Sequence, residues 1–237
     1  MKAVILAGGK GTRLAPYTTI LPKPLMPIGD MPILEVLLRQ LKNAGVKDVV
    51  ITVGHLAALL RTYFMDGREF GLNISYSYED KPLGTAGPLA LVDDLSETFF
   101  VMNGDVLTTL KFEELLQFHK SQKAVATIAA HQRTVKIDLG VLQHNDGDYR
   151  VTNYIEKPSY DYLVSMGIYI FEPEVLALIP RGEYLDFPNL VLKLIAADKK
   201  VCYLPYEGYW KDLGRPDDYE QANQDFQNMQ NEFLQEK

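Results

Sequence analysis

Apolar residues in the first half of the chain follow two alternating patterns, short apolar runs and helical spacing. The short runs predict strands at residues 2–7, 48–53, 72–78, 98–102 and 124–130. The helical spacing predicts helices at residues 32–44, 56–65, 84–95 and 112–121. Strands that alternate with helices form right-handed crossover units. The pattern therefore predicts an α/β fold in which a mostly parallel sheet carries helices on both faces.

The second half of the chain has a different pattern. The turn Asn145-Asp146-Gly147 separates apolar residues at 139–143 and 150–155, and it predicts a β-hairpin. Further strands are predicted at 164–171 and 200–205, and a helix at 187–197. Pro216 opens a polar C-terminal helix. Because no low-complexity linker or internal repeat interrupts the chain, we predict one domain.

Composition narrows the classes of partner. The 237 residues are 47% apolar and 23% charged, which is ordinary for a globular protein. Lys and Arg number 24 against 31 Asp and Glu, a net charge of −7 that argues against nucleic acid or an anionic membrane as partner. The single cysteine, Cys202, excludes an intramolecular disulfide and fits a reducing compartment. With no signal-peptide core and no apolar run of about 20 residues, the sequence predicts a cytoplasmic protein.

The strongest motif follows the first predicted strand and reads Leu6-Ala7-Gly8-Gly9-Lys10-Gly11-Thr12-Arg13-Leu14. Glycines at such a place let backbone N–H groups approach phosphate oxygens, and an arginine adds a charged fork. The Walker pattern is absent, because no Gly-Lys-Ser/Thr follows. The dinucleotide pattern GxGxxG fails as well, because Leu14 stands where its third glycine belongs. The motif predicts phosphate binding, with a tight turn that binds no ligand as the alternative.

A second basic group lies shortly downstream, in Leu21-Pro22-Lys23-Pro24-Leu25. The two prolines stiffen the backbone and remove local donors, so Lys23 is held out from a rigid segment. A positioned ammonium of this kind suits a phosphate that is being transferred. The histidines, in contrast, show no metal-ligand spacing and no clear carboxylate partner, so we predict core or surface roles for His55, His119, His131 and His144.

The combined stretch GGKGTRLAPYTTILPKPLMPI resembles the signature of the sugar-phosphate nucleotidylyltransferase family. That family includes glucose-1-phosphate thymidylyl- and uridylyltransferases and mannose- and heptose-1-phosphate guanylyltransferases. Its later motifs follow in order, as Pro82-Leu83-Gly84-Thr85-Ala86-Gly87, Asn103-Gly104-Asp105, Gly140, Glu156-Lys157-Pro158, Gly167-Ile168-Tyr169 and Trp210-Lys211-Asp212. Many members continue into a β-helix of hexapeptide repeats, and this sequence contains no such repeats.

The resemblance implies one Rossmann-like nucleotide-binding domain over residues 1–237, with a central mixed, mostly parallel sheet flanked by helices. Residues 1–130 would form the nucleotide-binding part, and residues 131–237 the sugar-binding part and the C-terminal helix. The implied partners are a nucleoside triphosphate and a sugar-1-phosphate. Homo-oligomer formation stays open.

The resemblance also assigns site residues. It implies that Asp105 and Asp212 are ligands of Mg²⁺. The alternative for Asp212 is a cap or turn residue beside Gly214 and Pro216. The catalytic residues would be Arg13, Lys23, Asp105 and Lys157. Lys157 would bind the phosphate of the sugar-1-phosphate and Glu156 the sugar hydroxyls, with Gly140 letting backbone amides approach the sugar. The nucleotide would contact Leu6, Gly8, Gly9, Gly11, Thr12, Arg13, Glu79, Pro82, Gly84 and Thr85.

The implied reaction joins a nucleoside monophosphate to the sugar-1-phosphate and releases pyrophosphate. Two functions of other classes compete with it, a non-catalytic nucleotide-sugar-binding regulatory subunit and a Rossmann dehydrogenase. The regulatory subunit is disfavoured because the metal carboxylates, Arg13 and both lysines are present. The dehydrogenase is disfavoured by the missing third glycine.

Glu79 bears on the choice of base. Thymidylyl- and uridylyltransferases that resemble this chain often carry Gln here, whereas guanylyltransferases can carry an acidic residue. Guanine offers two adjacent donors, N1–H and the exocyclic amine, which suit an acceptor-only carboxylate. We therefore expect GTP, with mannose-1-phosphate or a manno-configured heptose-1-phosphate. The alternatives are UTP or dTTP with glucose-1-phosphate or another hexose-1-phosphate, and a Glu79 that faces solvent while backbone amides choose the base.

Overall fold

The computed structural model of the protein describes residues 1–9 and 11–234. Lys10 of the glycine-rich motif and the last three residues of the predicted second part lie outside the described residues. Within the described ranges the strands are β1 (Lys2–Ala7), β2 (Pro27–Ile28), β3 (Met31–Pro32), β4 (Asp48–Val53), β5 (Asn73–Tyr78), β6 (Phe99–Asn103), β7 (Val106–Thr108), β8 (Ala126–Lys136), β9 (Val141–His144), β10 (Val151–Ile155), β11 (Ser159–Phe171), β12 (Val201–Tyr206) and β13 (Trp210–Asp212).

The α-helices over the same ranges are α1 (Ile33–Asn43), α2 (Ala57–Phe64), α3 (Phe112–Gln122), α4 (Phe187–Ala196) and α5 (Pro216–Leu234). Short 3₁₀ helices lie at Thr12–Leu14, Tyr17–Thr19, Lys23–Leu25, Arg68–Phe70, Gly87–Leu91 and Pro173–Leu178. The backbone of Met229 leaves the helical region, with φ −125° and ψ 24°, so α5 is kinked there. None of the helices in the described part of the chain has both the length and the apolar character required to cross a bilayer.

A seven-stranded sheet in the order β12-β8-β11-β6-β1-β4-β5 forms the centre of the molecule. Strands β6, β1, β4 and β5 run parallel to one another, and β12 runs parallel to β8. Only β11 reverses direction, because it pairs antiparallel with both β6 and β8. The predicted α/β fold with a mixed, mostly parallel sheet is therefore confirmed.

Helices cover both faces of this sheet, as a doubly wound arrangement requires. Leu37, Leu41, Leu60 and Phe112 from α1, α2 and α3 are fully or almost fully buried against one face. On the other face Leu190 and Leu194 of α4 are buried with Phe99 and Phe171. Each such side chain contributes roughly 1.5–3 kcal/mol on leaving water. The amphipathic spacing found in the sequence thus accounts for where the helices pack.

One predicted helix, at residues 84–95, is wrong. Only the 3₁₀ turn Gly87–Leu91 forms there. Gly84 has a left-handed backbone with φ +78°, which cannot continue a right-handed helix. The N–H groups of Ala86 and Gly87 donate to the Leu185 carbonyl at 2.8 and 3.0 Å instead of to the preceding turn. Contacts with a distant segment therefore override the local helical spacing.

The remaining predicted elements are present, with shifts at their ends. The hairpin predicted around Asn145-Asp146-Gly147 is confirmed as the antiparallel pair β9 and β10. Two strands are longer than predicted, since β8 reaches Lys136 and β11 begins at Ser159. These extensions pair with each other, and many of their residues are exposed. They carry too little apolar patterning to be found from the sequence.

Candidate active site

The glycine loop begins where β1 ends, in the interior of the sheet between β4 and β6. The loop packs closely on its neighbours, since a Cβ at residue 8 would lie 2.5 Å from Glu79 Oε1. Further along, the buried Thr18 donates its hydroxyl to the Gly11 carbonyl at 2.8 Å. The loop is thus held from both sides at the carboxyl edge of the sheet, where doubly wound folds bind ligands.

A cavity of about 750 Å³ opens beside this loop. Its lining includes most of the predicted nucleotide residues and three of the four predicted catalytic ones, namely Leu6, Gly8, Gly9, Gly11, Arg13, Lys23, Glu79, Pro82, Gly84, Thr85 and Asp105. The volume suits a ligand of nucleotide size. The predicted residues outside this lining are Thr12, Gly140, Glu156, Lys157 and Asp212.

Two carboxylates from distant parts of the chain meet at one end of the cavity. Asp105 lies in the turn between β6 and β7, and Asp212 ends β13. Strands β7 and β13 pair antiparallel with Val106 opposite Asp212, and the Leu213 N–H donates to the Asp105 carbonyl at 3.3 Å. This short ribbon, separate from the main sheet, is what brings the two side chains together.

Lys23 lies between these carboxylates. Its Nζ forms a short ion pair with Asp105 Oδ2 and lies 3.5 Å from Asp212 Oδ1. The lysine is only 7% exposed, because its 3₁₀ turn is packed with Pro24 against the segment at Gly104. Arg13 lies nearby, with its guanidinium against the backbone at Gly214. Arg13, Lys23 and Asp105 therefore line this end of the cavity, and Asp212 lies outside the lining, beside Lys23.

The acidic pair fits a hard divalent cation. Both carboxylates contact the same ammonium, so they border one shared space. Over residues 1–9 and 11–234 no group of three or more His, Cys, Asp or Glu side chains forms a complete protein cage. Mg²⁺ does not require one, since it is commonly held by one or two carboxylates with phosphate oxygens and waters.

Glu79 packs against the glycine loop at Gly8. Its Oε2 accepts a hydrogen bond from the Leu83 N–H at 3.1 Å, and its Oε1 lies against Gly8. Burial raises the pKa of the Glu79 carboxyl, and the Leu83 hydrogen bond opposes this shift only in part. The side chain is half-buried in the cavity wall. Glu79 is therefore a carboxylate in the cavity wall, and one of its oxygens already accepts from a backbone N–H.

The predicted sugar-phosphate residues lie elsewhere. Glu156 and Lys157 are exposed on the short connection between β10 and β11, outside the lining of the cavity. Gly140 precedes β9, and a side chain there would collide with the Tyr154 hydroxyl. The space beside Gly140 is thus taken by a tyrosine. The structure does not bring these residues to the cavity, and their roles stay predictions.

One expectation about the histidines is wrong in detail. His119 does have a carboxylate partner, with its Nε2 3.0 Å from Glu172 Oε1 and its Nδ1 2.7 Å from Thr127 Oγ1. The histidine is 1% exposed and ties α3 to the end of β11, so its role is in the core. His55, in contrast, lines the cavity beside Gly54.

Comparison with known proteins shows the family to which the chain belongs. The family model described as Nucleotidyl transferase matches residues 2–229. The chain belongs to the nucleotidyl transferase family. The predicted resemblance to sugar-phosphate nucleotidylyltransferases is therefore confirmed, and the dehydrogenase alternative is removed.

Individual relatives of this nucleotidyl transferase carry different names. The mannose-1-phosphate guanyltransferase of Yarrowia lipolytica is 38% identical over 231 residues, which cover 92% of this chain and 62% of that protein. The UTP–glucose-1-phosphate uridylyltransferase of Synechocystis is 36% identical over 244 residues, covering 94% and 62%. A solved structure assigned as a glucose-1-phosphate thymidylyltransferase from Bacillus anthracis has a TM-score of 0.75 at 26% identity, covering 94% of each chain. The chain spans about three-fifths of the length of the two curated relatives.

Sequence reasoning missed one side of the cavity in this nucleotidyl transferase. Tyr184 and Asp186, which precede α4, face the loop that carries Thr85. Asp186 Oδ1 accepts from the Thr85 N–H and hydroxyl at 2.9 and 3.2 Å, and Thr85 Oγ1 accepts from the Phe187 N–H at 2.8 Å. The only local signal was an acidic residue at a helix start, which ordinarily indicates a cap. Here the carboxylate holds a cavity loop instead.

We predict that Asp186→Ala lowers the free energy of unfolding by about 1–2 kcal/mol near neutral pH, because it removes the acceptor of several hydrogen bonds. The hydrogen bond from the Tyr184 hydroxyl, helped by the Thr85 donors and opposed by partial burial, lowers the pKa of Asp186. A lowered pKa stabilises the fold above the unfolded-state pKa, and this contribution is lost as the pH falls through the folded-state value. In denaturant titrations, the difference in unfolding free energy between wild type and Asp186→Ala should therefore disappear in acid.

The matched control is Asp93→Ala, which removes an exposed aspartate outside the cavity lining. It should change the unfolding free energy by less than about 0.5 kcal/mol. An Asp186→Ala protein as stable as this control at neutral pH would contradict the role of Asp186 in holding the loop.

Proposed function

We propose that the protein is a sugar-1-phosphate guanylyltransferase. It would transfer GMP from GTP to mannose-1-phosphate or a manno-configured heptose-1-phosphate, giving a GDP-sugar and pyrophosphate. The observation that carries the reaction class is the pair Asp105 and Asp212, which meets at one lysine beside a glycine loop. The single cysteine further supports work in a reducing, cytoplasmic compartment.

The chemistry requires positioning more than proton transfer. A phosphate oxygen of the sugar-1-phosphate attacks the α-phosphorus, the bond to the β-phosphate oxygen breaks, and pyrophosphate leaves. The nucleophile is already anionic near neutral pH, so no general base is needed. Two polyanions must instead be brought into line while their charge is neutralised.

Each predicted site residue has a role in this scheme. The amides of the glycine loop and Arg13 would hold the β- and γ-phosphates and the departing pyrophosphate. Lys23 would stabilise the α-phosphoryl group. Mg²⁺ held by Asp105 and Asp212 would supply further positive charge against the phosphate oxygens. Lys157 would neutralise the phosphate of the incoming sugar, and Glu156 would bind its hydroxyls.

Guanine is proposed from Glu79 and from the named relatives. Glu79 lines the cavity as a hydrogen-bond acceptor, and guanine would present two adjacent donors to it. The guanyltransferase of Yarrowia lipolytica supports GTP and mannose-1-phosphate for this chain. The uridylyltransferase of Synechocystis, at 36% identity, supports UTP with glucose-1-phosphate as the second candidate. Uracil has a single N3–H between two carbonyl oxygens, which a carboxylate would repel.

The first prediction concerns the metal. Asp105→Asn keeps the shape of the side chain but removes its charge, so turnover should fall about 10²- to 10³-fold, as for the loss of one electrostatic contact in a transition state. Pyrophosphate release in saturating Mg²⁺ measures this, and circular dichroism checks the fold. Asp80→Asn is the control, because it removes the same charge from the same cavity away from the acidic pair. Unchanged turnover of Asp105→Asn would contradict the assignment of Asp105 as a metal ligand.

The second prediction concerns the sugar phosphate. Lys157→Ala should raise the KM for sugar-1-phosphate at least about tenfold while leaving calorimetric binding of GTP unchanged, since one ion pair to a phosphate is lost. Lys136→Ala removes another exposed lysine from the same part of the chain and should affect neither value. If GTP binding falls as much as use of the sugar phosphate, Lys157 belongs to the nucleotide side.

The third prediction concerns the base. Wild-type protein assayed for pyrophosphate release with GTP, UTP, dTTP, ATP and CTP, each against a panel of sugar-1-phosphates, should prefer GTP. Glu79→Gln should reduce the ratio of GTP to UTP turnover, since a mismatched buried hydrogen bond costs roughly 1–3 kcal/mol, or about ten- to a hundredfold. The wild-type advantage should also shrink as the pH falls through the raised pKa of Glu79, because a protonated carboxyl loses acceptor capacity.

Asp80→Asn is again the control and should keep the GTP preference. A wild-type preference for UTP or dTTP at equal concentrations ends the guanine proposal and favours the second candidate. Binding of a nucleotide sugar without any pyrophosphate release would instead favour the regulatory subunit.

A further inference from the structure

The ammonium of Lys23 occupies the position between the two carboxylates that a shared cation would take. Nζ pairs with Asp105 Oδ2 and lies 3.5 Å from Asp212 Oδ1. The side chain of Lys23 is 8% exposed, whereas those of Asp105 and Asp212 are 24% and 47% exposed. The lysine is thus the most deeply buried member of the cluster.

The electrostatics of this arrangement oppose a second cation. Two carboxylates 107 positions apart in the sequence would repel each other if nothing lay between them, and one ammonium offsets half of their charge. A divalent ion that binds both carboxylates would lie within a few ångströms of the Lys23 ammonium and be repelled by it. Because water is largely excluded around Lys23, this repulsion is screened less than it would be at the surface.

The backbone gives Lys23 little freedom to leave on its own. Pro22 and Pro24 bracket it in a 3₁₀ turn, so movement of the charge must come from the four-carbon side chain. A phosphate in the cavity would be an alternative anion for this ammonium. The same cavity is lined by Gly8, Gly9 and Gly11, where the proposed function places the phosphates of the nucleotide.

We propose that Lys23 is a built-in counter-ion that competes with the divalent cation for Asp105 and Asp212. In the nucleotide-free protein the ammonium holds the two carboxylates together and keeps the cation affinity low. The triphosphate draws the ammonium away, and the vacated carboxylates take the cation that arrives with the nucleotide. The metal therefore binds with the nucleotide and not before it. This inference rests on the metal role of the two aspartates in the proposed function.

The test is Mn²⁺ binding to the nucleotide-free protein, measured by the electron paramagnetic resonance signal of the free ion. Lys23→Met should bind Mn²⁺ at least about tenfold more tightly than wild type. The repulsion between a unit charge and a divalent ion a few ångströms away is larger than the binding energy that corresponds to a tenfold change in affinity. The melting temperature gives a second readout. Without metal it should fall in Lys23→Met, and Mn²⁺ should raise it more than in wild type.

Three further variants localise the effect. Lys23→Arg keeps the charge and should bind Mn²⁺ as weakly as wild type. Lys199→Met, which removes an equal charge from the turn before β12, should leave the Mn²⁺ affinity unchanged. The double variant Lys23→Met with Asp105→Asn should lose the gain. If Lys23→Met fails to fold, Lys23→Gln removes the same charge while keeping a hydrogen-bond donor.

Equal Mn²⁺ affinities of wild type and the charge-removing variant overturn the inference, and so does a gain that survives Asp105→Asn. These results are independent of the proposed function, which stands or falls on Mg²⁺-dependent pyrophosphate release by the wild type. Turnover that depends on Mg²⁺, combined with equal affinities, would leave the function in place and remove only the competition.

Discussion

The site depends on the pairing of β1 with β4 on one side and β6 on the other. Ala3, Val4 and Ile5 of β1 are completely buried, so the strand cannot shift its register without losing its packing on both faces. The parallel direction places the end of β1, with the glycine loop, next to the end of β6, which leads to Asp105. The glycine loop and the turn that carries Asp105 thereby share one edge of the sheet.

Segments from the second half of the chain complete this edge. The ribbon of β7 and β13 adds Asp212, and the segment before α4 holds the loop of Gly84 and Thr85 through Leu185 and Asp186. Behind Asp212, Asp225 of α5 accepts from Tyr209 at 2.7 Å and pairs with Lys211 at 3.0 Å. The position of one acidic side chain thus depends on contacts that reach from the sheet to the C-terminal helix.

The sequence was sufficient where the signal is local. The apolar runs predicted β1, β4, β5 and β6, and the glycines after β1 pointed to a loop that does line the cavity. Phosphate binding by this loop stays a prediction. Asp212 entered only through the resemblance, because nothing in its own neighbourhood in the sequence indicates that it meets Asp105. Asp186 was missed for the same reason, since its contacts with Thr85 join segments about a hundred positions apart. Tyr184 was missed with it, since its hydroxyl donates to Asp186. The helix predicted at residues 84–95 failed because local spacing carries no information about the Leu185 carbonyl.

The late position of β11 in the chain bears on how the protein forms during synthesis, because β11 covers an edge of the much earlier β6. Strand β6 carries the buried Phe99, Phe100, Val101 and Met102, and one of its two edges is covered only by residues 168–171. On a ribosome, the parallel strands β1, β4, β5 and β6 emerge first, with that edge still unpaired. Such an edge is a template for aggregation. We therefore expect chaperone protection to matter most during the stage of synthesis before β11 has emerged.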